Sequence, residues 1–138
     1  MNKTTEQILN DLFEHNYALK QASILNDKVQ IVLKSLTAKE QLEIDEKSKD
    51  SDTYVQFLRN NTLVTLAYML KQYSSPKKQM KFEDPDKALD FLKELPVAVV
   101  DAITQVRQEF DKEVRAALNA ENLDENFTTT PSTESESN

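Results

Sequence analysis

The sequence predicts a mainly α fold. The expected architecture is a compact bundle of about five helices, with room for one short strand or β-hairpin in the N-terminal third and a disordered acidic tail at the C-terminus. Three observations point there. The 138 residues contain no glycine, against about 7% in ordinary proteins, and glycine supplies the positive φ of tight hairpins, bulges and phosphate-binding loops. Large apolar residues recur at three- and four-residue steps along most of the chain. Threonine and aspartate caps, one of them followed by a proline, fall where those stripes begin. The length fits one domain, placed at residues 1–118, with residues 119–138 as the tail.

The elements follow in order. Thr5 caps a first helix whose stripe is Ile8, Leu9, Leu12 and Phe13, ending near Asn16. Residues 18–27 carry no decisive pattern. Val29, Ile31 and Leu33 then alternate with Gln30, Val32 and Lys34, which suits a short strand. A continued helix or an extended lead-in fits as well, and a strand here needs a partner in residues 18–27 or in another subunit. Thr37 and Glu40 have the spacing of a capping box and open the second helix, which fades into the charged run Asp45–Asp52. Asp52 opens a third helix over about Thr53–Tyr73, with apolar residues around so much of its circumference that it reads as the central one.

"SSPKKQMKFEDP" is a polar connection. Asp84 and Pro85 are N-cap and N1 of a fourth helix, and Pro96 stops it, because proline disfavours helical geometry in the preceding residue. Pro96 then serves as N1 of a fifth helix, running to about Asn119 with Val99, Val100, Ile103, Val106, Phe110, Val114 and Leu118 in one stripe. The expected buried set is Phe57, Leu58, Val64, Tyr68, Leu92, Leu95, Ile103, Val106 and Phe110. The tail is rich in Ser, Thr, Glu and Asn, and its only large apolar residues are Leu123 and Phe127. It buries too little to offset the entropy of ordering.

Charge and chemistry exclude much. The formal charge is −7, and the five acidic residues from Asn119 onward, with no Lys or Arg among them, leave −2 for residues 1–118. Nonspecific binding to nucleic acid or to an anionic membrane is therefore disfavoured. There is no cysteine, so thiol catalysis, disulfides and thiolate zinc sites are ruled out. No apolar run approaches the roughly 20 residues that span a bilayer, and the N-terminus lacks a signal-peptide core. His15 is the only histidine. Its i,i+4 relation to Asp11, with Glu14 adjacent, is at most half a metal site. The acids Glu43, Asp45, Glu46, Asp50 and Asp52 lie in a solvated run without the setting for acid–base work. No catalytic residue, metal or cofactor is expected, and an enzyme is not the reading. The lysines Lys77, Lys78 and Lys81, flanked by Tyr73 and Phe82, are the nearest approach to a nucleic-acid patch, but three lysines make few phosphate contacts. They suit a solvated loop or an acidic partner. The helix–Pro–helix corner holds an interhelix angle that a flexible loop would not. It exposes Pro96, Val97 and Val100 as candidate partner-binding residues, with Tyr73, Phe82 and Phe127 as further candidates.

From Val29 to Val114 the order of features resembles the tail assembly chaperones of tailed bacteriophages. The carriers are a Leu-Thr-x-x-Glu entry at Leu36–Glu40, an Arg-x-x-Thr-Leu helix at Arg59–Leu63, and a Leu-Pro-x-x-Val-Val-Asp-x-Ile helix at Leu95–Ile103. The resemblance implies a small helical protein of the host bacterial cytoplasm that keeps the tape-measure protein soluble and helps recruit tail-tube subunits. It also implies helix-in-groove capture of apolar heptads. Two alternatives stand beside it: a structural virion component such as a baseplate, neck or tail adaptor, and a small effector binding a host protein. A homo-oligomer is compatible with an unpaired strand or a leftover apolar helix face.

Overall fold

A computed structural model describes the backbone of residues 3–129 and the side chains of residues 4–119. Its elements are α1 (Lys3–His15), β1 (Leu19–Ile24), β2 (Val29–Lys34), α2 (Ala38–Ser48), α3 (Tyr54–Met69), β3 (Leu70–Ser75), β4 (Lys78–Lys81), α4 (Pro85–Lys93) and α5 (Val97–Thr129). The four strands form one antiparallel sheet in the order β1-β2-β3-β4. The fold is therefore α+β, which corrects the expectation of a mainly α bundle. Five helices are present among the described residues, but the sheet is far more than a single hairpin.

Each strand escaped the sequence reading for its own reason. The β1–β2 hairpin turns without glycine because Leu25, Asn26 and Asp27 take left-handed conformations themselves, with φ of 55°, 57° and 65°. Asn and Asp tolerate that region, whereas a leucine there carries a steric penalty. β1 lies in the patternless residues and is the partner that β2 required, paired from Leu19↔Lys34 to Ile24↔Val29. β3 mimics a helix. Val32 faces Gln72 while Leu33 faces Leu70, so Lys71 is an extra residue in the ladder. That bulge puts two inward positions, Leu70 and Tyr73, three residues apart, which is helical spacing. Helix three consequently ends at Met69 and not at Tyr73, and chain passes into strand with no loop. β4 is exposed at all four residues and so carries no apolar alternation. Its two-residue turn at Pro76–Lys77 needs no positive φ, and Ser75 Oγ accepts from Lys78 N at 3.2 Å.

One sheet face is covered and the other is largely open. Ile24, Val29, Ile31, Leu33, Leu70, Tyr73 and Phe82 are buried with Ile8, Leu9, Leu66, Leu92, Ile103, Phe110 and Ala117 from the helices in one core. The opposite face shows Gln21, Ser23, Gln30 and Gln79, all exposed. Its one covered end is at Lys34, which is only 8% exposed. Lys34 pairs there with Glu40 and lies 5.2 Å from the centre of the Tyr17 ring. Glu40 also completes the expected capping box with Thr37, so one carboxylate joins β2 to the start of α2.

α3 is capped by Thr53, whose hydroxyl accepts from Gln56 N at 3.1 Å, and not by Asp52 as expected, and it is central only in part. Val64–Met69 are all buried, and Val64 and Tyr68 join Ile44 of α2 in a second small cluster. The first half of the helix is exposed: Tyr54 is 73%, Val55 57% and Leu58 47% accessible. Of the expected core, Val64, Tyr68, Leu92, Ile103 and Phe110 are buried. Leu58 is exposed, and Phe57, Leu95 and Val106 are half-buried: Leu58 and Leu95 line an open groove at the N-terminal half of α3, and Val106 lines a cleft between α5 and β1. α5 continues past its expected end to Thr129. The expectation of disorder concerns residues whose side chains, and beyond Thr129 whose backbone, lie outside the described residues.

Candidate functional site

The corner at Pro96 builds the most developed concave surface among the described pockets. α4 closes with Glu94 N donating to Phe91 O and Leu95 N to Leu92 O, each at 3.1 Å. α5 then starts at Val97, and the Pro96 carbonyl accepts from Val99 N at 3.0 Å and Val100 N at 3.2 Å. Pro96 is thus the N-cap of α5 and not its N1 residue, as the sequence suggested. The turn brings the start of α5 against α3 and opens a groove of about 650 Å³. Leu58 and Leu63 of α3, Leu92 of α4, Leu95 of the corner, and Val97 and Val100 of α5 line it.

The groove's chemistry is apolar with a charged rim. Thr62 Oγ1 donates to Leu58 O and Thr104 Oγ1 to Val100 O, both at 2.9 Å, so each hydroxyl proton is used inside its own helix. Arg59, Lys93 and Asp101 supply the charges. All three are exposed, and none is in an ion pair among the described residues. Val97 is 75% and Leu58 47% exposed, with Leu95 and Val100 half-buried beside them, and exposed apolar residues that cluster in this way make a candidate interaction surface. Among the described residues no group of three or more His, Asp or Glu is placed to hold a metal ion.

The candidate partner-binding residues separate into three groups. Pro96, Val97 and Val100 come together at the groove: Val97 and Val100 line it, and Pro96 is exposed beside them. Tyr73 and Phe82 do not join them. They are 6% and 5% exposed, and both rings pack on Phe91, at 4.9 Å edge-on and 5.2 Å tilted. They anchor β3 and the end of β4 to α4, so they belong to the core and not to a partner surface. Burial also pushes the Tyr73 phenol above its ordinary pKa. Phe127 lies outside the residues whose side chains are described. Leu58, Arg59 and Leu63 are groove residues that sequence reasoning did not single out as binding. Leu58 was assigned to the core, and only the exposure of the α3 N-terminus distinguishes the two.

The other sequence-level candidates scatter. His15 is exposed, 3.8 Å from Glu14, while Asp11 accepts from Gln7 Nε2 at 2.9 Å. Lys77, Lys78 and Lys81 are exposed along the β3–β4 hairpin, with Lys78 Nζ 5.6 Å from the Phe91 ring centre. Tyr68 donates to Glu43 at 2.9 Å. Lys47 lies 4.9 Å from the Tyr68 ring centre and 3.0 Å from Asp86, a network that ties α2 to α3 and α4.

No protein-family model, no curated protein and no solved structure matches this chain. No helix among the described residues is long and apolar enough to cross a membrane.

Proposed function

We propose that the protein is a non-enzymatic tail assembly chaperone that captures an amphipathic helix of a tape-measure protein in the groove between α3, α4 and α5. The observation that carries this reading is the convergence of two of the three segments in which the chain resembles that family. Arg59–Leu63 and Leu95–Ile103 are far apart in sequence, yet both supply walls of one apolar groove. Helix-in-groove recognition places apolar side chains at i, i+3, i+4 and i+7 in such a surface. The leucines and valines accept those side chains, and the unpaired Arg59, Lys93 and Asp101 orient the incoming helix by its flanking charges.

Capture here would keep the apolar stripe of a long helical client out of water while tail-tube subunits assemble. The proposed setting is the cytoplasm of the infected bacterium. Co-expression with the tape-measure protein of the same genome tests the reading. The expected result is a soluble tape-measure protein that co-purifies with the chain and a chain that is absent from finished particles. A tape-measure protein that stays insoluble and unbound contradicts it. Recovery of the chain from purified particles instead supports the structural-component alternative.

A further inference from the structure

The sheet has two edges, and they are built differently. β4 is four residues long, fully exposed, and begins and ends with lysine, Lys78 and Lys81. A second copy laid antiparallel on it in full register would set lysine against lysine at both ends, which is repulsive. Short length and lysines are standard protections of an edge. β1 has neither. It is six residues long without proline, pairs one-to-one with β2 without a bulge, and carries one charge. That charge, Lys20, is turned to α5, where Glu113 holds it at 2.8 Å.

The main chain of β1 is available on its outer side. The Ala18 carbonyl accepts from Ser35 N at 2.9 Å, so Ala18 faces β2. By the two-residue repeat of an antiparallel ladder, Lys20, Ala22 and Ile24 also turn their main chain to β2, and Leu19, Gln21 and Ser23 turn theirs away. No other described element bonds to those three main-chain units. Exposed apolar side chains stand at both ends, Leu19 at 51% and Leu25 at 40% accessible.

We propose that β1 pairs antiparallel with β1 of a second copy, across a two-fold axis at Gln21, so that two four-stranded sheets become one continuous sheet. The occupant is argued from the register. With the axis at Gln21, the two Gln21 residues face each other, Leu19 faces Ser23, and Lys20 faces Ala22. No charge meets its like, the two Gln21 amides can exchange hydrogen bonds on the open face, and the pairing is self-complementary as a two-fold interface requires. On the covered face, a cleft of about 590 Å³ between β1 and α5, with Ala22, Ile24, Ala102 and Val106 in its walls, leaves room for the inward side chains of the second strand. This surface is separate from the helix groove, so the two proposals stand or fall independently.

Light scattering on the full chain after size exclusion tests the proposal. The wild type is expected to be a dimer. Gln21→Pro removes an outward N–H without touching the β2 ladder, and should give a monomer with an unchanged circular dichroism spectrum. Gln21→Lys and Gln21→Glu each place like charges on the axis, and each alone should raise the dimer dissociation constant about tenfold or more. Their equimolar mixture should restore the dimer, which keeps the test decisive even if the proline variant fails to fold. A monomeric wild type at high micromolar concentration would overturn the proposal. So would a dimer that both charge variants leave intact, or charge variants that fail to complement each other.

Discussion

Glu40 is the residue on which most local structure depends. Burial opposes its ionisation, but the hydrogen bond and charge of Lys34, with hydrogen bonds from the Thr37 backbone and side chain, outweigh it and hold the carboxyl below its ordinary value of 4.5. A depressed carboxylate pKa contributes stability above the unfolded-state value, and that contribution is lost as pH falls through the folded-state value. Glu40→Gln should therefore flatten the decline in urea midpoint below about pH 5, relative to the wild type. At pH 7 the same change leaves a mostly buried lysine without its counter-ion. The expected cost is about 2–3 kcal/mol, somewhat under the range for fully buried pairs because Glu40 is partly exposed. An unchanged midpoint at pH 7 would show that Lys34 finds water instead. Phe57 and Phe110, both in the expected buried set, should also separate. Phe110 is 1% exposed, and Phe110→Ala should cost about 3–5 kcal/mol. Phe57 is half-buried, and Phe57→Ala should cost less than half as much in the same denaturation series.

Among the elements, the caps at Thr37 and Asp84 were legible, whereas Thr5 lies inside α1, which is already helical at Lys3, and Thr53 in place of Asp52 caps α3. The Thr37–Glu40 box, the Asp84–Pro85 start and the Pro96 stop all appear where the sequence put them, because each rests on a local hydrogen bond or a fixed φ. β2 was half legible through its alternation. β1 and β4 were not, since a mostly polar edge strand shows no apolar period. β3 was misread because its bulge spaces Leu70 and Tyr73 like a helix. The groove was legible at its corner, where Val97 and Val100 follow a proline. Its α3 wall was hidden, because an apolar stripe looks the same whether a neighbour covers it or not. Val97→Asp tests this element directly. Val97 is 75% exposed, so the change should alter stability by no more than about 0.5 kcal/mol. It should nevertheless abolish co-purification of a helical client, whereas loss of stability together with binding would return Val97 to a packing role.

At the scale of the molecule, the absence of glycine argues for a mainly α protein, and the four-stranded sheet overturns that argument. Leu25, Asn26 and Asp27 perform the turn that glycine usually serves, and the Pro76–Lys77 turn avoids positive φ altogether. What the sheet adds is division of labour. Its inner face and the C-terminal half of α3 form the core, its β1 edge is open to a second copy, and the helix corner presents the groove at a separate site. Client capture and self-association are therefore expected to be independent.

The most direct measurement of the central claim is amide chemical-shift mapping of the full chain titrated with a peptide carrying one apolar heptad stretch of the tape-measure protein. Shifts concentrated on Leu58, Arg59, Leu63, Val97 and Val100, and lost in Val97→Asp, are the result this account predicts. Shifts confined to another surface, or no shifts at saturating peptide, would contradict it.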